Sequence, residues 1–170
     1  MTDLSYIALT GVDGSGKSTQ LEPLMNHLVK NGHKVAYFHA VEFSLANKIS
    51  RFLKGKRSFE AGQEKAVTKA SLVSLILREK FLFIDFIRFH FWCRHLRLEG
   101  YDYILSDRSF YDSIINIEYL NLAKDSALVR FGIRFLARFM PKADYPFFFA
   151  LNAEDIMNRS RIPEQGQQYL

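Results

Sequence analysis

A glycine-rich stretch near the N-terminus limits the folds that this chain can adopt. Residues 11–19 read GVDGSGKST and contain the complete pattern G-x-x-x-x-G-K-[ST]. A short β-favouring run at residues 6–10 precedes the stretch, and apolar residues at helical spacing follow it. This strand–loop–helix context is the one in which the pattern forms a phosphate-binding loop. The sequence therefore predicts that the chain binds a nucleoside triphosphate.

The residue types of this loop match the chemistry of a phosphate group. Glycines let backbone amides curve around the anion, and the N-terminus of the following helix adds N–H groups and the positive end of its dipole. Lys17 is expected to reach the β- and γ-phosphates, and Ser18 to offer its hydroxyl to Mg²⁺. The predicted nucleotide-binding residues are Gly11, Asp13, Gly14, Ser15, Gly16, Lys17, Ser18 and Thr19.

Strand and helix patterns alternate along the rest of the chain. Further strands are predicted at 35–38, 103–105 and 146–151, and helices at 44–53, 63–99, 112–123 and 126–140. This alternation is typical of a parallel sheet with helices on both faces, and it predicts a three-layer α/β P-loop NTPase fold. The last strand is apolar throughout, which favours burial on both sides. The 170 residues suit one domain, 1–170.

A second metal ligand is predicted at the end of another central strand. Asp107 follows the strand at 103–105 and is expected to hold Mg²⁺ together with Ser18. The alternative is that Asp107 caps the helix that comes after it. Arg108 is a candidate to bind an acceptor anion.

Phosphoryl transfer also requires positive charge near the transferred group. Arg159 and Arg161 lie in a short polar stretch, predicted as a lid around residues 158–166 that would close over the phosphates. Solvated surface arginines are the alternative interpretation. With Lys17 and Arg108, these two arginines complete the predicted catalytic set.

Composition limits the location and the partners of the chain. A single cysteine, Cys93, excludes an intrachain disulfide and favours a reducing compartment. No signal-peptide pattern is present, and the most apolar stretch, 72–92, carries five charged residues, too many for a bilayer span. We expect a cytoplasmic protein. The net charge of +5 suits a polyanionic ligand, but charge alone does not predict nucleic acid as a partner.

Two rows of residues run side by side along the predicted helix 126–140. They are Arg130, Arg134 and Arg138, and Phe131, Phe135 and Phe139. A basic amphipathic helix can lie on anionic lipid or bind a partner, which leaves open an ATP-binding regulatory or membrane-surface protein with little turnover. The commoner arrangement, packed phenylalanines beside solvated arginines, is the one we expect, so a membrane is not a predicted partner.

The loop GVDGSGKSTQ, the triplet SDR at 106–108 and the arginine-bearing segment after the strand 146–151 together resemble the thymidylate kinase family. The resemblance implies Mg²⁺-dependent phosphoryl transfer from ATP to a nucleoside monophosphate, dTMP to dTDP, in a homodimer that would form here through the long helix 63–99. It also implies that Asp13 contacts the acceptor sugar, that Phe83 stacks on the acceptor base, and that Ser113 belongs to the acceptor site. A fifth strand is expected beyond Leu170, because the family continues past its lid.

Two departures from the family leave the acceptor open. The family carries an arginine-bearing loop after the second strand, where this chain has His39 and then Glu42. An Asp-Arg pair in the family's long helix is out of register here, although Arg88 lies nearby and is a candidate acceptor contact. Glu42 could instead serve as a base for an uncharged hydroxyl acceptor, as in deoxynucleoside kinases.

Overall fold

The computed structural model describes residues 4–12, 14–54 and 70–150. Its centre is a four-stranded sheet in which every neighbouring pair is parallel, in the order β2-β3-β1-β4. The predicted α/β class with a parallel sheet is therefore confirmed. The strands are β1 (Ser5–Gly11), β2 (Val35–His39), β3 (Tyr103–Asp107) and β4 (Tyr145–Phe149).

Six helices lie within the described ranges. They are α1 (Lys17–Lys30), α2 (Ala40–Phe43), α3 (Leu45–Lys54), α4 (Leu72–Leu98), α5 (Phe110–Leu122) and α6 (Ala127–Phe139). The short helix α2 has no counterpart among the predicted elements, because four residues are too few to show a helical period. The predicted start of the long helix at 63–69 and the predicted lid lie outside the described residues. None of the helices described combines the length and the hydropathy needed to cross a bilayer.

The helices cover both faces of the sheet. Alternate residues of β1 point to opposite faces, so Ile7 and Leu9 pack with Leu21 of α1, whereas Tyr6 and Ala8 join the core beneath α4, α5 and α6. This arrangement confirms the three-layer architecture that the alternating pattern predicts.

Aromatic rings hold the end of β2 against the helices on one face. The ring of Phe38 lies 4.7 Å from that of Phe89 in α4 and 5.3 Å from that of Phe110 at the start of α5. Phe86 of α4 lies 5.0 Å from Phe110. Many of the 16 phenylalanines thus serve packing, and they fix α4 and α5 relative to the carboxyl end of the sheet.

Strand β4 corrects the prediction of a strand buried on both sides. In the described sheet β4 pairs with β1 on one side only, so it is an edge strand. Its residues Tyr145, Phe147 and Phe148 are exposed, and the exposed fraction of Phe148 is 69%. Two hydrogen bonds between Asp144 and Tyr6 fix the start of β4 against β1. The N–H of Tyr6 donates to Asp144 Oδ2 (2.8 Å), and the carbonyl oxygen of Tyr6 accepts the N–H of Asp144 (2.9 Å).

Helix α6 corrects the prediction that its phenylalanines form the face that packs in the core. Its buried face is aliphatic and consists of Val129, Ile133 and Leu136. Phe131 is 70% exposed, and Phe135 and Phe139 are exposed in part. The three arginines of α6 are exposed, as predicted. The aliphatic residues lie one turn apart on a single narrow stripe, and they displace the phenylalanines from the core side of the helix.

Candidate nucleotide site

Lys17 lies inside the curve of the glycine-rich loop. Its side chain is buried, and its Nζ donates hydrogen bonds to the carbonyl oxygens of Gly11 (2.8 Å) and Val12 (2.7 Å) and to Ser15 Oγ (3.5 Å). These contacts hold a positive charge at the point where the loop closes on itself. Lys17 is also the first residue of α1.

Two glycines give the loop its shape. Gly11 has a φ of +142°, and a Cβ there would lie 2.5 Å from the carbonyl oxygen of Phe149 in β4. Gly16 has a φ of +91° and precedes α1 as its N-cap, where it offers no side chain to the N–H groups of the first helical turn. The N–H groups in the first turn of α1 therefore have no capping side chain and are available to bind an anion. Ser18 and Thr19 in this turn are exposed, and Asp13 lies outside the described residues.

The structure brings the two predicted metal ligands together. Ser18 Oγ donates a hydrogen bond to Asp107 Oδ2 at 3.1 Å, which joins the first turn of α1 to the end of β3. The alternative role of Asp107 as a helix cap is wrong. The N-cap of α5 is Ser109, whose Oγ accepts the N–H of Tyr111 (3.2 Å) and whose own N–H donates to Asp112 Oδ2 (2.7 Å).

Asp112 supports the site and was not among the predicted residues. Besides closing the capping box with Ser109, it accepts a hydrogen bond from Thr10 Oγ1 at 2.9 Å on Oδ1. Thr10 directly precedes Gly11, so this carboxylate fixes the entry to the loop relative to α5. The spacing Ser-x-x-Asp at residues 109–112 was the available signal, because it is the pattern of a helix-capping box.

Arg108 has an unusual backbone. Its φ is +63°, in the left-handed region that arginine rarely adopts. Three contacts hold it there: its N–H donates to the Leu9 carbonyl (3.2 Å), and its own carbonyl accepts from Ser106 Oγ (2.7 Å) and from the N–H of Ala40 (3.4 Å). The backbone of Arg108 thus links the carboxyl ends of β1, β2 and β3. Such locally strained residues occur mostly at functional sites.

Arg88 binds the connection between α2 and α3. Its Nη1 donates to the carbonyl oxygen of Phe43 at 3.0 Å and to Asp85, and its guanidinium lies 4.5 Å from the centre of the Phe43 ring. Asp85 is 1% exposed and accepts the N–H of Leu45 at 3.0 Å. Through these contacts Arg88 and Asp85 hold residues 43–45, the segment that links α2 to α3 after the carboxyl end of β2, in place.

Two other predicted acceptor residues lie apart from this network. The ring of Phe83 packs against α6, 5.6 Å from the ring of Phe135 and 6.3 Å from that of Phe139. Such packing is the common role of a phenylalanine at helical spacing, and it places Phe83 on the α6 side of α4. Ser113 lies in the first turn of α5 and is partly exposed. The predicted lid residues Arg159 and Arg161 lie outside the described residues.

Two acidic residues, Asp107 and Glu42, lie near the carboxyl end of β2. His39 pairs with Asp107 across β2 and β3, and the N–H of Glu42 donates to His39 Nδ1 at 3.4 Å. Burial, and then the charges of Asp107 and Glu42, raise the pKa of Tyr37. Glu42 thus belongs to the same electrostatic neighbourhood as Asp107.

The described residues contain no group of three or more His, Cys, Asp or Glu side chains that could hold a metal ion. Mg²⁺ in nucleotide sites commonly takes one or two protein ligands and completes its shell with phosphate oxygens and water. The hydroxyl of Ser18 and the carboxylate of Asp107 are hard oxygen donors, and they fit that arrangement.

Comparisons with known proteins agree on the fold. The family model "Methylmalonyl Co-A mutase-associated GTPase MeaB" matches residues 3–47, the part that contains β1, the loop, α1 and β2. No curated protein matches the chain. Among solved structures, the crystal structure of thymidylate kinase from Ehrlichia chaffeensis is similar, with 20% sequence identity and a TM-score of 0.53 over 89% of this chain and 79% of that chain. At 20% sequence identity, this similarity shows the fold alone.

The loop pattern, its strand–loop–helix setting and the parallel sheet therefore lead to one conclusion. The chain has the α/β fold of P-loop NTPases, and Lys17, the loop around it and Asp107 form its candidate nucleotide site.

Proposed function

We propose that the chain is a P-loop kinase that transfers the γ-phosphoryl group of ATP to a nucleoside monophosphate, with dTMP as the first candidate. The observation that carries the proposal is the contact of Ser18 Oγ with Asp107 Oδ2 at 3.1 Å beside the buried Lys17. The resemblance of the loop and of residues 106–108 to thymidylate kinases supports the choice of acceptor. A fold shared with the thymidylate kinase of Ehrlichia chaffeensis is consistent with it.

The residues around the loop have separate tasks in this proposal. Lys17 exchanges its bonds to the carbonyls of Gly11 and Val12 for bonds to phosphate oxygens, and the first turn of α1 directs its N–H groups at the same anion. Ser18 and Asp107 would hold Mg²⁺. The bound ion would neutralise charge on the phosphate oxygens.

A monophosphate acceptor requires cations rather than a base. Its phosphate oxygen is already ionised at neutral pH, so the protein has to bring two anions together and offset their repulsion. Arg108 is proposed to bind the acceptor phosphate from the carboxyl edge of the sheet. Arg159 and Arg161, the predicted lid arginines, are proposed to stabilise the transferred group. A cytoplasmic location stays a prediction from the sequence.

A second candidate acceptor is an uncharged hydroxyl group. The N–H of Glu42 contacts His39, which pairs with Asp107 across β2 and β3, and this second acidic residue at the carboxyl edge favours the alternative. An alcohol has to lose a proton as it attacks, and Glu42 is the proposed base. Glu42 lies in α2, three residues after His39, which stands where the kinase family carries an arginine, and this position is consistent with the alternative.

The test is ADP formation from ATP and Mg²⁺ with a panel of nucleoside monophosphates, nucleosides and simple alcohols. Turnover with dTMP or another monophosphate supports the first candidate, and turnover confined to uncharged acceptors would replace it with the second. Glu42→Gln separates the two, because it should reduce turnover by about 100-fold or more only if Glu42 is the base. Lys17→Ala should abolish turnover with either acceptor, whereas the exposed Lys30→Ala at the far end of α1 is the matched control.

We also propose that two copies of the chain associate through α4. Large apolar side chains are exposed at intervals of seven residues along this helix, at Leu77, Ile84, Phe91 and Leu98. A seven-residue spacing produces a seam that a second helix can cover along its length. Light scattering should give twice the 19.8 kDa mass of one chain. Ile84→Glu should return a single-chain mass, whereas Val29→Glu, at an exposed apolar site of α1, should not.

A further inference from the structure

Helix α6 carries an exposed face that the proposed kinase reaction does not use. Phe131, Phe135 and Phe139 lie one turn apart and are 70%, 44% and 52% exposed. They lie outside the aliphatic stripe with which α6 contacts the core. Three large aromatic side chains in one row are more than the scattered apolar residues that an ordinary surface displays.

A second row, of arginines, runs beside the phenylalanines. Arg130, Arg134 and Arg138 each precede a phenylalanine by one residue, and all three are exposed. Consecutive residues of a helix differ by about 100° in direction, so the two rows share the outward half of α6. The helix itself contains no acidic residue, and Asp125, which pairs with Arg130, lies before its start. Arg134 and Arg138 therefore give the face a net positive charge.

The aromatic row is supported by the fold rather than carried on a loop. The rings of Phe135 and Phe139 lie 4.7 Å apart, and both contact the ring of Phe83 in α4. Val129, at the base of the helix, is fully buried. The face is thus presented in a fixed orientation, with aromatic rings on one side and guanidinium groups on the other.

We propose that this face of α6 binds the surface of an anionic membrane. Phenylalanine rings can enter the boundary between headgroups and acyl chains, while arginines beside them bind lipid phosphates and extend their apolar stems along the same surface. The positive charge of this face of α6 favours an anionic lipid surface over a second copy of the chain. A second copy of the chain placed symmetrically on α6 would bring two arginine rows into one contact, whereas an anionic lipid surface offers the opposite charge.

The test is co-sedimentation of the full chain with vesicles of phosphatidylcholine alone and of phosphatidylcholine with phosphatidylglycerol. The chain should bind the anionic vesicles, bind the neutral ones weakly, and lose most binding between about 0.1 M and about 1 M salt. Equal binding to both vesicle types would contradict the proposal. Absence of binding to either vesicle type would also contradict the proposal. If Phe131→Ser then lowered the mass of an oligomer, the face would be assigned to a second copy of the chain instead.

Paired variants locate the effect on α6. Each arginine at an anionic surface contributes about fivefold to partitioning, so Arg134→Gln with Arg138→Gln should weaken binding by about 30-fold. The control removes the same charge elsewhere, with Lys30→Gln and Arg97→Gln, both exposed. An equal loss in the control would show that net charge, not this face, binds the vesicles.

The aromatic row has its own matched pair. Phe131→Ser should release the protein from anionic vesicles at moderate salt, whereas Phe52→Ser, at an 86% exposed site of α3, should not. Equal retention of both variants would refute a role for the phenylalanines. Because these side chains are exposed, all four variants should melt within about 2 °C of the parent, which separates loss of binding from loss of folding.

Discussion

The close approach of β4 to the start of the loop makes Gly11 sensitive to a single added methyl group. In Gly11→Ala the new Cβ would lie 2.5 Å from the carbonyl oxygen of Phe149 and 3.2 Å from its carbonyl carbon. Both atoms belong to backbone, so relief requires β4 to move away from β1. The φ of +142° adds strain of its own, because only glycine adopts this region readily.

The expected loss of stability is the sum of these costs. Backbone strain contributes about 2 kcal/mol and overpacking about 2 kcal/mol, while the stiffer unfolded chain offsets about 1 kcal/mol. The net loss of about 3 kcal/mol corresponds to a melting temperature lower by about 6–12 °C for a domain of this size. Thermal unfolding followed by circular dichroism measures it.

Gly100→Ala is the matched control. Gly100 also has a positive φ, +74°, but a Cβ there would meet nothing within 4 Å. It should therefore lose only the strain less the same offset from the stiffer unfolded chain, a net loss of about 1 kcal/mol or about 2–4 °C. Equal losses in the two variants would refute the close pairing of β4 with the start of the loop.

Two further predictions concern buried carboxyl groups. Burial raises the pKa of Glu79, so the folded chain keeps a proton that the unfolded chain releases near pH 4.5, and the free energy of unfolding should fall as the pH rises above that value. Glu79→Gln should flatten this dependence above about pH 4.5, and an unchanged slope in thermal melts would contradict it. Asp85→Ala leaves the guanidinium of Arg88 without its carboxylate and should cost about 3 kcal/mol in denaturant unfolding. Asp125→Ala, which breaks the exposed pair with Arg130, should cost less than about 1 kcal/mol, and a similar loss in both variants would contradict the role of Asp85.

The loop and the sheet could be predicted from the sequence because their signals are local. The strand before Gly11, the pattern through Ser18 and the strand that ends at Asp107 each lie within a few residues. Parallel strands connected by helices leave few topologies, so the carboxyl ends of β1 and β3 had to meet near the loop. The contact between Ser18 and Asp107 follows from that topology.

Residues whose role depends on distant partners could not be predicted. The contacts of Arg88 with Phe43 and of Thr10 with Asp112 join segments 45 and 102 residues apart in the sequence. The exposure of Phe131 depends on which stripe of α6 packs against the core. This helix has two apolar stripes, one aliphatic and one of phenylalanines, and the aliphatic stripe is the buried one. Periodicity predicts that a helix is amphipathic, but it does not select between two apolar stripes.

Lys17 and Asp107 are proposed to form a site for a nucleoside triphosphate with its metal ion. Isothermal titration of ATP, with and without Mg²⁺, tests it most directly in the parent chain and in Lys17→Ala, Asp107→Asn and the control Lys30→Ala. The parent and the control should bind ATP, and Lys17→Ala should lose about 100-fold in affinity, about 2.7 kcal/mol. Asp107→Asn should lose only the part of the affinity that Mg²⁺ adds. Undiminished binding by Lys17→Ala, or no binding by the parent chain, would contradict the claim.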